Sequence, residues 1–224
     1  MHKLLLTTVA LAALASPAQA TLMIEVFDNG ALIDNISGVT TGAASLTAND
    51  SNFSNITVNA QGSPILPHAD LSSVTLDATA SAGFTGAHIL TVDILQSFIS
   101  GLGNTLSTFT VNGLTNDPGP TTESTFANGG LLASHTFPVA LLDGSAGPFP
   151  AATGAFTTDE IQFAVDFTAG NQSFGGSAQL TTDVVPGPVV GAGLPGLIVG
   201  LGLMGLIGFR KRNATRWSEA ALSP

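Results

Sequence analysis

The side chains best able to hold a ligand in this 224-residue chain are Asn49, Asp50 and Asn52, within the run Asn49-Asp50-Ser51-Asn52. Carboxylate and amide oxygens crowded into one short loop suit a hard cation such as calcium. The run matches neither the EF-hand loop nor a Gly-Asp repeat, and the same residue types form ordinary turns. Asp28-Asn29 is a second, thinner cluster. Asp159-Glu160 is the only adjacent acidic pair. Glycoside hydrolysis needs two carboxylates acting across one sugar, and neighbours on a strand point to opposite faces. His68, His88 and His135 could each serve a Ser-His-Asp arrangement, but no Gly-x-Ser-x-Gly elbow accompanies them. Cysteine is absent and the histidines are widely spaced, so no zinc motif is present. The expectation is a protein that is not an enzyme and carries no cofactor.

The elements that must position these groups read as strands. Leu22, Ile24 and Val26 alternate with Met23, Glu25 and Phe27, and Asp28-Asn29-Gly30 follows as a hairpin turn. The same period of two recurs at Ile56–Ala60, Val74–Ala78, Leu90–Ile94, Phe109–Val111, Ile161–Phe167 and Ala178–Leu180. Asp77, Asp93 and Asp166 fall on the polar phase of their runs. Gly-, Pro- and Asn-rich stretches mark the breaks in this pattern: Gly62-Ser63-Pro64, Gly101 to Asn104, Asn116 to Pro120, Asn128-Gly129-Gly130 and Asp143 to Pro150. No apolar pattern of helical spacing persists over three turns. Eight or nine short strands with one apolar face each predict an all-β fold, an antiparallel β-sandwich.

Both ends read differently. Met1-His2-Lys3, the apolar stretch Leu4 to Ala15, and Ala18 and Ala20 in an A-x-A pattern form a cleavable signal peptide. Val189 to Phe209 is a 21-residue run without an ionisable side chain, long enough for one transmembrane helix. Arg210, Lys211 and Arg212 follow it as a basic stop that belongs on the cytoplasmic side. Between Thr21 and Phe209 there is no Lys or Arg, while fourteen of the fifteen acids lie there. A surface of that sign disfavours nucleic acid.

Val185, Pro186, Gly187 and Pro188 precede the apolar run. A signal peptide, a Thr/Ser/Gly-rich body, a Val-Pro-x-Pro motif, a Gly-rich span and a basic end together resemble a PEP-CTERM protein. Gly187 stands where that family has Glu, and Asn213 to Pro224 extends past the usual short end. The resemblance covers about forty residues and implies that the tail is a sorting signal read by an exosortase, a membrane processing protease. It also implies a body displayed at the cell surface or released with exopolysaccharide.

The expected organisation is a signal peptide (1–20), a β-rich extracytoplasmic domain (21–183), a Pro-rich sorting linker (184–188), a membrane helix (189–209) and a basic cytoplasmic tail (210–224). The expected role is that of an acidic envelope or matrix protein, structural or adhesive, held at the inner membrane before processing. The alternative is a calcium- or carbohydrate-binding sandwich on a plain single-pass anchor. Intact-mass measurement of the mature protein from its native cells separates these: processing gives a chain beginning at Thr21 and ending near Pro186–Pro188. A mass that retains Trp217 removes the sorting reading.

Overall fold

The computed structural model describes residues 19–63, 69–113, 116, 118–138 and 143–182. These belong to the first of two compact units, Met1–Val184. The second, Val185–Pro224, lies outside the described residues, as do residues 1–18. The expectations for Ala18, for the motif Val185–Pro188, for the apolar run and for Arg210–Arg212 therefore fall on undescribed positions. Among the described residues no helix is long and apolar enough to cross a membrane.

Among the described residues ten strands form: β1 (Thr21–Asp28), β2 (Ala31–Val39), β3 (Ala43–Ala48), β4 (Phe53–Gln61), β5 (Leu71–Ala80), β6 (His88–Gly113), β7 (Thr121–Ala127), β8 (Gly130–Phe137), β9 (Asp143–Phe167) and β10 (Ser173–Thr182). Every pairing is antiparallel. The alternation predicted at Leu22–Val26, Leu90–Ile94 and Ile161–Phe167 is present, with Leu22, Ile24, Val26, Leu90, Val92, Ile94, Ile161, Phe163, Val165 and Phe167 fully buried. The turn at Asn29-Gly30 has φ of +48° and +79°, and that at Asn128-Gly129 has +47° and +73°. Two successive positive φ values give a turn whose twist matches a two-residue hairpin, and Asn and Gly tolerate them best.

The sequence breaks were not all real. Gly101 to Asn104 lies inside β6, and Asp143 to Pro150 lies inside β9, so two predicted loops are strand. The two strands are 26 and 25 residues long and pair with each other from His88↔Phe167 to Asn112↔Asp143. Register shifts between Ser97 and Gly101 and between Gly101 and Gly103 bend the ladder without ending it.

The bend creates two layers. The first half of β6 pairs with β1 and with the second half of β9, giving the order β2-β1-β6-β9-β7-β8. The second half of β6 pairs with β10 and with the first half of β9, giving β3-β4-β5-β10-β6-β9. Side chains from both layers share one core, in which Ile24, Phe163 and Phe167 meet Phe53, Leu76 and Phe109. A hydroxyl pair, Ser107 Oγ with Thr125 Oγ1 at 2.7 Å, links the layers through the interior.

Gly101 marks the bend for a packing reason. A Cβ there would sit 2.1 Å from the ring of Phe156, which lies against the glycine backbone. Phe156 in turn belongs to a small buried cluster with Ala69 and Ile99. Overpacking of this kind costs roughly 1–3 kcal/mol. Gly101→Ala is expected to lower the melting temperature, and adding Phe156→Ala is expected to make the two losses less than additive. Additive losses in the double variant would show that the ring is not what excludes the methyl.

Candidate functional site

Two of the three calcium candidates, Asp50 and Asn52, are engaged in hydrogen bonds. Asp50 Oδ1 accepts from the backbone N–H of Asn52 at 2.8 Å and of Phe53 at 2.7 Å, closing the β3–β4 connection. Asn52 Nδ2 donates to Asp28 Oδ2 at 2.7 Å, and Asn49 is exposed. Asp28 Oδ1 meets His88 Nδ1 at 2.6 Å, and the His88 ring lies 4.9 Å from that of Phe84. The structure thus joins Asp28, Asn52 and His88 into a polar clamp over three connections at one end of the sandwich. The short contact fixes Nδ1 of His88 as a donor to the carboxylate. Among the described residues, the groups that adjoin this imidazole are amides, a carboxylate and a ring, not a hydroxyl. Also among the described residues, no three His, Asp or Glu side chains converge to hold a metal. His68 is outside the described residues, and His135 lies between the rings of Phe137 and Phe149.

Asp159 and Glu160 do point to opposite faces. Asp159 turns inward and is 1% exposed, while Glu160 faces outward and is half-buried. Among the described residues neither Oδ of Asp159 has a hydrogen-bond partner, nor does Nε2 of its cross-strand neighbour Gln96. Burial, then the charge of Asp70, raises the Asp159 pKa well above the ordinary range. Asp70 itself accepts from the backbone N–H and hydroxyl of Thr182 at 2.7 and 3.0 Å.

A second interior acid, Glu123 on β7, escaped the sequence reading. It is fully buried, a Cβ on Gly176 would lie 3.1 Å from its Oε1, and among the described residues neither oxygen has a hydrogen bond of good geometry. Burial pushes its pKa up to about 9, with the Thr110 backbone opposing only part of the rise. At neutral pH it is therefore a carboxylic acid, not a carboxylate.

The outer face of the first layer carries a different set. Register places Thr21, Ser97 and Thr158 in one row, Met23, Leu95 and Glu160 in the next, and Glu25, Asp93 and Gln162 in the third. Gln162 Nε2 donates to Asp93 Oδ1 at 2.9 Å. Asp93 is raised by burial, against the Gln162 bond, and further by Glu25. Glu160 is raised by burial, then by Asp93 and Glu25. Asp93 was expected on a polar phase, and it is there, but half-buried and hydrogen-bonded instead of freely solvated.

At the edge of this grid stands Phe98. Continuing the inward phase of Leu90, Val92, Ile94 and Gln96 would bury it. Its φ is +60°, which turns the ring outward to 62% exposure and lets Ile99 take the interior position. Beside it runs an open groove of about 290 Å³ whose walls include Thr21, Met23, Leu95, Ser97 and Thr158. Hydroxyls, a thioether, a leucine and an exposed ring alternate along it. No sequence signal marked Phe98, because its phase reads as core.

No family model and no curated protein matches this chain. Among solved structures it is similar to TmCBM61 in complex with β-1,4-galactotriose, at 11% identity and a TM-score of 0.34, over 64% of this chain and 90% of that one. It is also similar to a Podospora anserina GH26-CBM35 β-(1,4)-mannanase, at 14% identity and 0.24, over 66% and 29% of the two chains. The secreted serine protease VesC from Vibrio cholerae aligns at 10% identity and 0.26, over 74% and 44%. Likenesses at this level carry no argument about what the chain binds.

The interior acids do generate a test. The ordinary Glu pKa is 4.5 and the folded value of Glu123 is about 9. A raised acid favours the fold while it is neutral, so its contribution is full below about 4.5 and is lost as pH rises through about 9. Asp159 acts with the same sign. Denaturant unfolding is expected to show stability falling from pH 5 to pH 9, by an amount on the order of 1 kcal/mol per unit of pH. Glu123→Gln, neutral throughout, is expected to flatten that slope. An unchanged slope in the variant would mean Glu123 does not titrate in this interval.

Proposed function

We propose that the β-rich body is a non-catalytic saccharide-contacting module of an exported, adhesive surface protein. The observation that carries this is Phe98, an exposed ring held at the lip of an open groove. Folding gains little from a Phe in that place. A bulky residue at positive φ costs on the order of 1–3 kcal/mol, and an exposed ring buries little apolar surface in return. Sugars present an apolar C–H face and a rim of hydroxyls. A ring beside Thr and Ser hydroxyls with Leu95 and Met23 between them meets both chemistries.

The sequence features supply the setting. The signal peptide exports the body, and the Val185-Pro186-Gly187-Pro188 tail delivers it to an exosortase-like membrane protease. Exopolysaccharide at the cell surface is then the polymer within reach of the groove. The protein acts by adhesion, and nucleic acid is not a partner of a body that lacks Lys and Arg.

The test replaces Phe98 with Gly, which accepts a positive φ without strain. Purified full-length protein is titrated calorimetrically with a panel of neutral and charged oligosaccharides. Binding is expected in the wild type and is expected to weaken about tenfold or more in Phe98→Gly, as for an aromatic anchor. The melting temperature of the variant is expected to hold or rise. An undiminished affinity in a folded Phe98→Gly protein would sink the assignment.

A further inference from the structure

We propose that the groove beside Phe98 takes amino sugars bearing a free ammonium group, which the Glu25, Asp93 and Glu160 carboxylates receive. The inference rests on the saccharide reading above and adds the charge of the ligand. It starts from the register of the outer face. Glu25 lies directly opposite Asp93 on the neighbouring strand. Like charges in that relation destabilise a sheet. Glu160 lies opposite Leu95, one row nearer the groove, and the repulsion reaches it as well.

No Lys or Arg occurs between Thr21 and Phe209 to relieve this, and among the described residues the side-chain donor to Asp93 is the neutral amide of Gln162. The three acids nevertheless adjoin the groove. Met23 and Leu95, which line it, are two residues along the same strands from Glu25 and Asp93, and Glu160 is the lateral neighbour of Leu95. Adjacent strands are about 5 Å apart, and same-face neighbours along a strand about 7 Å. A saccharide stacked on Phe98 and lying across Leu95 therefore brings its substituents to the carboxylates.

The arrangement fits a row of ammonium groups better than a single metal ion. The acids are spread over three strands and two rows instead of converging on a point, and one Asp93 oxygen is already engaged by Gln162. Charges spaced along a polymer can meet them one at a time. The half-burial of Asp93 and Glu160 also lowers the local dielectric, so each contact with an ammonium is stronger than one made in bulk water.

The experiment uses full-length protein and two oligomers with the same β-1,4 backbone, oligoglucosamine and its fully N-acetylated counterpart, in calorimetric titrations. The deacetylated oligomer is expected to bind at least about tenfold more tightly at low salt. That preference is expected to fall toward parity in about 0.5 M salt, where exposed charges are screened. It is also expected to fall in the Glu25→Gln/Glu160→Gln variant, whose melting curve reports whether it folds. Phe98→Gly is expected to weaken both oligomers. Equal binding of the two by wild-type protein overturns the ammonium inference and leaves the saccharide reading standing. Failure of both oligomers, and of the neutral panel, overturns the saccharide reading with it. Oligoglucosamine binding that ignores Phe98→Gly is diffuse attraction between opposite charges, and it also overturns the inference.

Discussion

The continuous ladder between β6 and β9 is the constraint on which the rest of the body depends. Each strand serves both layers, and each is paired with the other nearly from end to end. The layers are thus two halves of the same pair of strands, folded over at Gly101 and Gly103. β1 and β7 find their edges on one half, and β10 finds its edge on the other. Moving the bend by one residue would turn the Ile161–Phe167 row outward, because side chains alternate along a strand.

The same bend makes the candidate site. Past Gln96 the chain must leave the first layer for the second, and the left-handed turn at Phe98 re-aims one side chain from core to surface. Ile99 takes the vacated phase and packs with Ala69 and Phe156. A groove at a fold line, between the end of one layer and the residues that climb away from it, needs no loop to shape it. Its walls are strand residues whose positions are set by pairing, which is a rigid way to present hydroxyls and a ring.

Much of this was legible in the residues, and the failures have physical causes. Asn29-Gly30 and Asn128-Gly129 announced hairpins because few other residues accept two positive φ values. The apolar phases of β1, of the first half of β6 and of the second half of β9 announced buried faces. The continuity of β6 and β9 was hidden, since Gly101, Gly103, Pro148 and Pro150 read as breaks while the ladder shifts register around them instead. Asp159 shares the phase of Ile161 and Phe163, so its burial was written in the alternation. Glu123 had no such signal: Thr121 to Thr125 contains no apolar residue to set a phase. Phe98 misled for the opposite reason, its phase being right for a core that its backbone leaves.

The end of β10 has a mechanical meaning. That strand is hydrogen-bonded to β5 on one side and β6 on the other, and Asp70 grips the backbone and hydroxyl of Thr182, at its last residue. Tension drawn along the axis of β10 from its C-terminal end meets two ladders in shear, with many bonds sharing the load. A strand at the rim of the sheet would unzip one bond at a time under the same pull. A pull applied at Thr182 is therefore met by both ladders at once.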